Sequence, residues 1–189
     1  TTTGKGKVKD YTYEELLQFN LVDHLGNVTP YKIPTVEEAI KWSKGKTILN
    51  FDKKDAPRDM LVRLVNRLGA KNVIYTVHTP EDAMECYQID KDAHFSAWMK
   101  DIDAFRAYQA TGIPMSRFIA YVVSTTMNPA NQELYDALHE AGVRCMIAMS
   151  PSHDKLPTTE ERRANYKKEI EKNPDIIETD YPIEFIGLY

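Results

Sequence analysis

The chain has 189 residues, of which 42% are hydrophobic and 28% are charged, a composition typical of globular proteins. Its formal net charge of −4 gives no basic surface of the kind that binds nucleic acid, so we expect no nucleic-acid partner. The apolar runs are much shorter than the roughly 20 residues that a membrane-spanning helix needs, and we therefore expect no membrane span.

The first 46 residues are expected to form loops and helices without a strand. Capping boxes, in which a Thr is followed three residues later by a Glu, predict two helix starts. They lie at Thr12 with Glu15 and at Thr35 with Glu38. A polar turn at residues 23–27 separates the two predicted helices.

After residue 46, six short β-rich runs alternate with helical patterns. The runs are nearly continuous apolar stretches, which is typical of parallel strands covered on both faces. The predicted strands are residues 47–51, 73–77, 93–97, 118–123, 144–149 and 176–179. The predicted helices that follow the first strand are residues 57–68, 101–111, 129–141 and 158–172, with one more beginning at Pro80.

Strands that alternate with helices at this spacing predict an α/β protein. A (β/α)₈ barrel of the TIM type needs about 250 residues, and we interpret the six βα units as its third to eighth, in a single partial-barrel domain over residues 1–189. An open sheet would leave two apolar edges, which natural proteins avoid. We therefore expect either a missing N-terminal segment or a second copy of the chain, as in a homo-oligomer, to cover those edges.

Cysteine content and the first residue bear on the compartment. Cys86 lies in a predicted helix and Cys145 in a predicted strand, so both are expected to be buried free thiols, which fits a reducing compartment. The chain begins with Thr1, and a targeting segment would precede that residue. Localisation therefore stays open between the cytoplasm and the periplasm or exterior.

The first predicted strand ends on Asp52, followed by Lys53 and Lys54. Ligands of parallel βα proteins bind at the carboxyl ends of strands. Asp52 is therefore a candidate ligand for a hard cation such as Mg²⁺ or Ca²⁺, the alternative being a loop cap or an ion pair with Lys53. Lys54 is a candidate for binding an anionic substrate, the alternative being a solvated lysine; strand alternation points Lys53 the other way.

Three further side chains are candidates for contacting a substrate. Trp98 follows the third predicted strand and is a candidate for lining an alcohol-binding surface, with packing at the strand end as the alternative. His153 follows the fifth predicted strand in an unusual loop, and Asp180 follows the last strand, where a turn role before Pro182 is the alternative. His78 is less favoured because the next two residues initiate a helix.

Motifs near both ends of the chain occur in the order found in one known family. They are TTTGKGKV at the N-terminus, IPTVEEAI at residues 33–40, ILNFDKK at residues 48–54, and IETDYP at residues 177–182. Taken together, these motifs resemble the glycerophosphodiester phosphodiesterase family. The region from His78 to Ser152 resembles that family only in its alternation of strands and helices.

The resemblance implies a phosphoric diester hydrolase of lipid metabolism that uses a divalent metal, Mg²⁺ or Ca²⁺, to hydrolyse small phosphodiesters such as glycerophosphodiesters. It also implies that Asp52 is a metal ligand, although the family has Glu there. The family's acid–base histidines and its other two metal carboxylates precede the TTTGKGKV segment, so they are expected upstream of Thr1. No catalytic residue is therefore assigned within the chain, and we expect the chain alone to be inactive.

Two other interpretations stay open. The chain could be a non-catalytic ligand-binding or interaction domain on a degenerate barrel, which the Asp at position 52 and the loop at residues 150–154 favour. It could also belong to a related barrel hydrolase with another phosphodiester substrate, of the sphingomyelinase D type. The substrate headgroup and the identity of the metal are open in either case.

Overall fold

The computed structural model describes residues 2–52, 54 and 56–189. The chain divides into two compact units, Thr1–Thr47 and Ile48–Tyr189. Lys53, the alternative partner of Asp52, lies outside the described residues. In the described part of the chain, no helix is both long and apolar enough to cross a membrane.

The smaller unit contains short helices and a β-hairpin. Its elements are a 3₁₀ turn at Val8–Asp10, α1 (Tyr13–Leu16), β1 (Asn20–Val22), β2 (Val28–Lys32) and α2 (Val36–Ser43). The Thr12 and Thr35 hydroxyls accept hydrogen bonds from the third residue of their helices, so both predicted capping boxes are confirmed.

The hairpin corrects the expectation that this region has no strand. β1 and β2 pair antiparallel. The Asp23 carboxylate stabilises the turn between them, because it accepts hydrogen bonds from the N–H groups of Leu25 and Asn27. Both strands are short, and β2 is mostly exposed, so neither carries the apolar alternation that predicts a strand from sequence.

The larger unit is a six-stranded parallel sheet with helices, which is the predicted partial barrel. Its strands are β3 (Leu49–Phe51), β4 (Val73–Val77), β5 (Phe95–Trp98), β6 (Phe118–Tyr121), β7 (Arg144–Ala148) and β8 (Ile176–Glu178). Each strand pairs in parallel with the next one along the chain. The six predicted strands are therefore confirmed, and the sheet corresponds to the third to eighth units of the barrel.

The strand β5 begins two residues later than predicted. The turn before it holds Ala93 out of the strand, because the Ala93 N–H donates to the carbonyl of Asp90 and the Asp90 carboxylate accepts from Asp92. As a result, Trp98 is the last residue of the strand and not the first residue after it. Strand alternation therefore determines the face of the sheet on which the Trp98 side chain lies.

Helices follow the strands as the sequence predicts. They are α3 (Arg58–Arg67), α4 (Pro80–Ile89), α5 (Ile102–Gln109), α6 (Gln132–Glu140) and α7 (Thr159–Ile170), with 3₁₀ turns at Met115–Arg117, Pro129–Asn131, His153–Lys155 and Pro182–Phe185. Thr158 and Glu161 form a further capping box at the start of α7.

The core lies between the helices and one face of the sheet. Phe95 packs against Phe118 with ring centroids 5.2 Å apart, and Phe118 packs against Tyr108 of α5 at 5.4 Å. Cys86 and Cys145 are buried and free, as predicted. Because this face is covered by helices, the other face of the sheet is the one that presents side chains at the inside of the partial barrel.

Candidate functional site

The inner face of the sheet is identified by side-chain alternation. Thr76 donates a hydrogen bond of 3.0 Å to Asn50, so these two residues of neighbouring strands share a face. Thr76 is paired with Ser96, and Trp98 lies two residues beyond Ser96 on the same face. Trp98 and Tyr121 are directly paired, so the side chains at the ends of β5 and β6 lie side by side.

Three aromatic rings form a continuous wall at the carboxyl ends of β4, β5 and β6. The ring of His78 lies 4.2 Å from that of Trp98 between centroids, and Trp98 meets Tyr121 edge-on at 5.7 Å. Trp98 keeps 40% of its surface exposed, so one side of the wall is open to solvent. An exposed aromatic surface of this kind is suited to contact an organic ligand.

Carboxylates lie at the ends of the two outermost strands, β3 and β8. Asp52 forms an ion pair with Lys54, and both side chains are exposed. The pKa of Glu178 is raised, first by partial burial and then by the negative charges of Asp180, Asp52 and Asp154. The charge of Asp52 at the end of β3 thus adds to the effect on Glu178 at the end of β8.

The seven residues Asp52, Lys54, His78, Trp98, Tyr121, Glu178 and Asp180 are called the mouth. The aromatic wall and the acidic group are linked through Tyr121, because burial and the charge of Glu178 raise the pKa of its phenol. At neutral pH this tyrosine is therefore a hydrogen-bond donor beside a carboxylate. The mouth offers oxygen ligands for a hard cation, one ammonium group for an anion and an aromatic surface.

A buried carboxylate fixes the end of β8. Asp154 accepts hydrogen bonds from the Tyr166 hydroxyl at 2.6 Å, from the Thr179 hydroxyl at 2.9 Å and from the Asp180 N–H at 2.7 Å. It is only 6% exposed. Asp154 therefore ties the loop after β7 and the helix α7 to Thr179 and Asp180, the two residues that follow Glu178. By these hydrogen bonds Asp154 positions the mouth.

The structure places the other sequence-predicted candidates as follows. Trp98 and Asp180 lie at the mouth with Asp52 and Lys54. The ring of His153 lies instead against α7, with Nε2 3.5 Å from an oxygen of Glu169, and its side chain is 20% exposed. His153 is thus not brought together with the aromatic wall, whereas the less favoured His78 is part of it.

Comparisons with known proteins agree with this geometry. A glycerophosphoryl diester phosphodiesterase from Parabacteroides distasonis ATCC 8503 is 45% identical and superimposes with a TM-score of 0.93 over 100% of this chain and 66% of its own length. The chain belongs to the glycerophosphodiester phosphodiesterase family. No family model matches it, and no curated protein does.

A more distant member shares the fold. A glycerophosphodiester phosphodiesterase from Agrobacterium tumefaciens str. C58 is 18% identical, with a TM-score of 0.66 over 98% of this chain and 75% of its own. The chain spans about two thirds of the length of the more similar relative, 66%. The family and the barrel fold predicted from the sequence motifs are therefore confirmed.

Sequence reasoning missed two residues of this family member's mouth, Tyr121 and Glu178. Both lie inside predicted strands, Tyr121 between two apolar residues and Glu178 between Ile177 and Thr179. Strand alternation could have identified them, because every second side chain of a strand faces the inside of the barrel. A polar side chain in that series at the carboxyl end of a strand is a candidate site residue. The residues at the carboxyl end of a strand can be named only when the last residue of that strand is known.

Replacing Glu178 by Gln should stabilise the metal-free chain at neutral pH by less than about 1 kcal/mol, because the glutamate is largely exposed. The fold raises the pKa of Glu178, so its ionisation opposes folding once the pH rises above the ordinary value of 4.5. The gain should appear in urea unfolding at pH 7 and disappear below the ordinary pKa. Glu160→Gln should give no gain, because a negative charge in the first turn of α7 favours the helix; an equal gain in that control would contradict the explanation.

Proposed function

We propose that the mouth is the metal- and phosphate-binding part of an active site that hydrolyses glycerophosphodiesters. The observation that carries the proposal is the meeting of carboxylates, an ammonium group and exposed aromatic rings at the carboxyl ends of the strands in a member of this family. Like-charged carboxylates repel one another unless a cation lies between them. A site built in this way fits a divalent cation better than it fits an empty, solvated turn.

Asp52 and Glu178 are the residues that would hold the cation. Their oxygens are hard ligands of the type that Mg²⁺ and Ca²⁺ prefer. When bound, the cation would polarise a phosphoryl oxygen and stabilise the charge that develops on it. The shorter side chain at Asp52 is compatible with this role, because Glu178 on β8 would supply a second, longer carboxylate.

Lys54 would bind the phosphate. In the metal-free chain its ammonium group is paired with Asp52. Once Asp52 binds a cation, that ammonium group loses much of its attraction to the carboxylate and is free to bind a phosphate oxygen beside it. Asp180 would contact a hydroxyl of the substrate at the opposite side of the mouth.

Trp98 would contact the alcohol moiety of the substrate. Trp98→Ala should weaken the binding of glycerophosphocholine about tenfold, a loss of ~1.4 kcal/mol, because it removes the exposed face of the aromatic wall. Calorimetric titration in Mg²⁺ would measure the change. Trp42→Ala is the matched control, since Trp42 is also exposed but lies on α2. Equal effects of the two changes would contradict a role for the wall.

The proposal includes the prediction that these 189 residues alone do not turn substrate over. Among the described residues, His78 is the histidine at the mouth, and its ring lies tilted against that of Trp98. The family resemblance implies an acid–base pair, and one histidine in this position does not supply it.

The test is an assay of glycerophosphocholine hydrolysis in Mg²⁺ and in Ca²⁺. The 189-residue chain is expected to be inactive, and any turnover by it would contradict that prediction. If the gene encodes residues before Thr1, the chain extended by them is expected to release glycerol phosphate. If the extended chain binds the substrate without turnover, the non-catalytic ligand-binding domain is the correct interpretation instead.

A further inference from the structure

Three side chains with metal-binding atoms meet at the end of the sheet opposite the mouth. They are His139 in the last turn of α6, Cys145 near the start of β7, and Asp175 directly before β8. Their ligand atoms lie within 4.8 Å of one another. Since all the strands are parallel, the start of β7 and the start of β8 lie at the amino end of the sheet. This group is therefore separate from Asp52 and Glu178.

The three residues already share one carboxylate oxygen. Asp175 Oδ2 lies 2.7 Å from Nε2 of His139 and accepts a 2.7 Å hydrogen bond from the backbone N–H of Cys145. The N–H of Cys145 thus orients the carboxylate in the way that second-shell donors orient metal ligands. An ordinary ion pair would account for the contact between imidazole and carboxylate, but it gives no role to the sulfur beside them.

We propose that His139, Cys145 and Asp175 form a binding site for a transition-metal ion, with Zn²⁺ as the best fit. A thiolate, an imidazole and a carboxylate are all ligands that Zn²⁺ uses, whereas Mg²⁺ and Ca²⁺ take oxygen ligands. Three protein ligands leave one tetrahedral position for water. The site differs from the proposed phosphodiesterase centre in location, ligands and metal.

The geometry is close to that of a bound ion. Bonds of about 2.0–2.3 Å keep tetrahedral ligand atoms less than about 4 Å apart, so shifts of about 1 Å close the site. The ion would replace the proton shared by His139 and Asp175. Metal binding would also release the proton of the Cys145 thiol, because only the thiolate is a good ligand.

Solvent reaches the site from one side. The side chains of His139 and Asp175 are 48% and 32% exposed, while Cys145 is buried. His139 also lines a groove of about 600 Å³ that includes Tyr135 and Lys172. The imidazole and the carboxylate can therefore contact an arriving ion before the buried sulfur does.

Cobalt is the probe that separates this site from the mouth. Co²⁺ titrated into the chelator-treated chain should bind one equivalent with a sulfur-to-cobalt charge-transfer absorption in the near ultraviolet. An oxygen-only site at Asp52 and Glu178 has no sulfur and gives no such band. Zn²⁺ should displace the cobalt and remove the absorption.

Variants assign the ligands. Cys145→Ser should remove the band, and Cys86→Ser should keep it, because Cys86 is the other buried thiol and lies in α4. His139→Gln changes an exposed residue and should weaken Co²⁺ binding at least about tenfold, with His94→Gln as its exposed control.

The absence of a charge-transfer band in the wild-type chain would overturn the proposal. So would a band that persists in Cys145→Ser, or an affinity for Co²⁺ that is the same in His139→Gln and His94→Gln. If Cys145→Ser does not fold, as judged by circular dichroism, the comparison of His139→Gln with His94→Gln decides the result by itself. These outcomes do not depend on phosphodiesterase activity, so they test this site whether or not the proposed function is correct.

Discussion

Asp52→Ala should abolish the binding of Mg²⁺ and Ca²⁺ at the mouth. It should also reduce glycerophosphodiester hydrolysis by the N-terminally extended chain at least about 100-fold, the loss typical of removing one group that stabilises transition-state charge. Alanine removes both oxygens, leaves Glu178 without its partner carboxylate and leaves Lys54 without its ion-pair partner. Calorimetric titration of the 189-residue chain measures the first effect, and kcat/KM of the extended chain measures the second.

Two variants sharpen this test. Asp59→Ala replaces an exposed aspartate in the first turn of α3 and should leave both cation binding and turnover unchanged. Asp52→Glu restores the residue type that the family has at this position, and it should retain cation binding. Unchanged cation binding in Asp52→Ala would show that the mouth binds no metal through this residue, and the proposed function would fail with it.

Asp154→Ala should lower the free energy of unfolding by about 3 kcal/mol, because a buried acceptor is removed and its donors are left without partners. The affected groups are the Tyr166 and Thr179 hydroxyls and the Asp180 N–H. For a chain of this size, each kcal/mol corresponds to a change in Tm of about 2–4 °C. Urea unfolding and thermal melts measure both quantities.

Asp136→Ala is the matched control, since Asp136 is an exposed aspartate on α6 that contacts Gln132. It should change stability by no more than about 0.5 kcal/mol. Tyr166→Phe removes one donor and should cost about 1 kcal/mol. If Asp154→Ala is no more destabilising than Asp136→Ala, the carboxylate does not fix the end of β8 and its positioning role is wrong.

The distribution of polar and apolar residues explains why the larger unit was predictable. Its strands are nearly continuous apolar runs, and its helices begin at recognisable caps such as Thr79 and Thr158. These signals are local, so they can be recognised in one segment without knowing which strands pair with it. The sequence does not predict the hairpin at Asn20–Lys32, because its strands bury little apolar surface and so lack an alternation of apolar and polar residues.

His153 illustrates where local reasoning stops. The sequence places it after β7, which is compatible with the mouth. The neighbouring Asp154 accepts hydrogen bonds from three donors, one on α7 and two in the residues that follow β8. The loop then places the ring of His153 against Glu169. No pattern within the loop encodes those long-range hydrogen bonds, so a role at the mouth could not be assessed from the loop alone.

The amino-acid sequence by itself determined the α/β class, the order of the six βα units, the family, and the strand-end position of Asp52 and Lys54. These features depend on residue spacing along one segment at a time. Only the tertiary structure decided which ends of distant strands share a surface. The fold allows the charge of Asp52 to act on Glu178, and the pairing of β5 with β6 sets Tyr121 beside Trp98. Register and curvature arise from packing across the whole sheet, and no single segment specifies them.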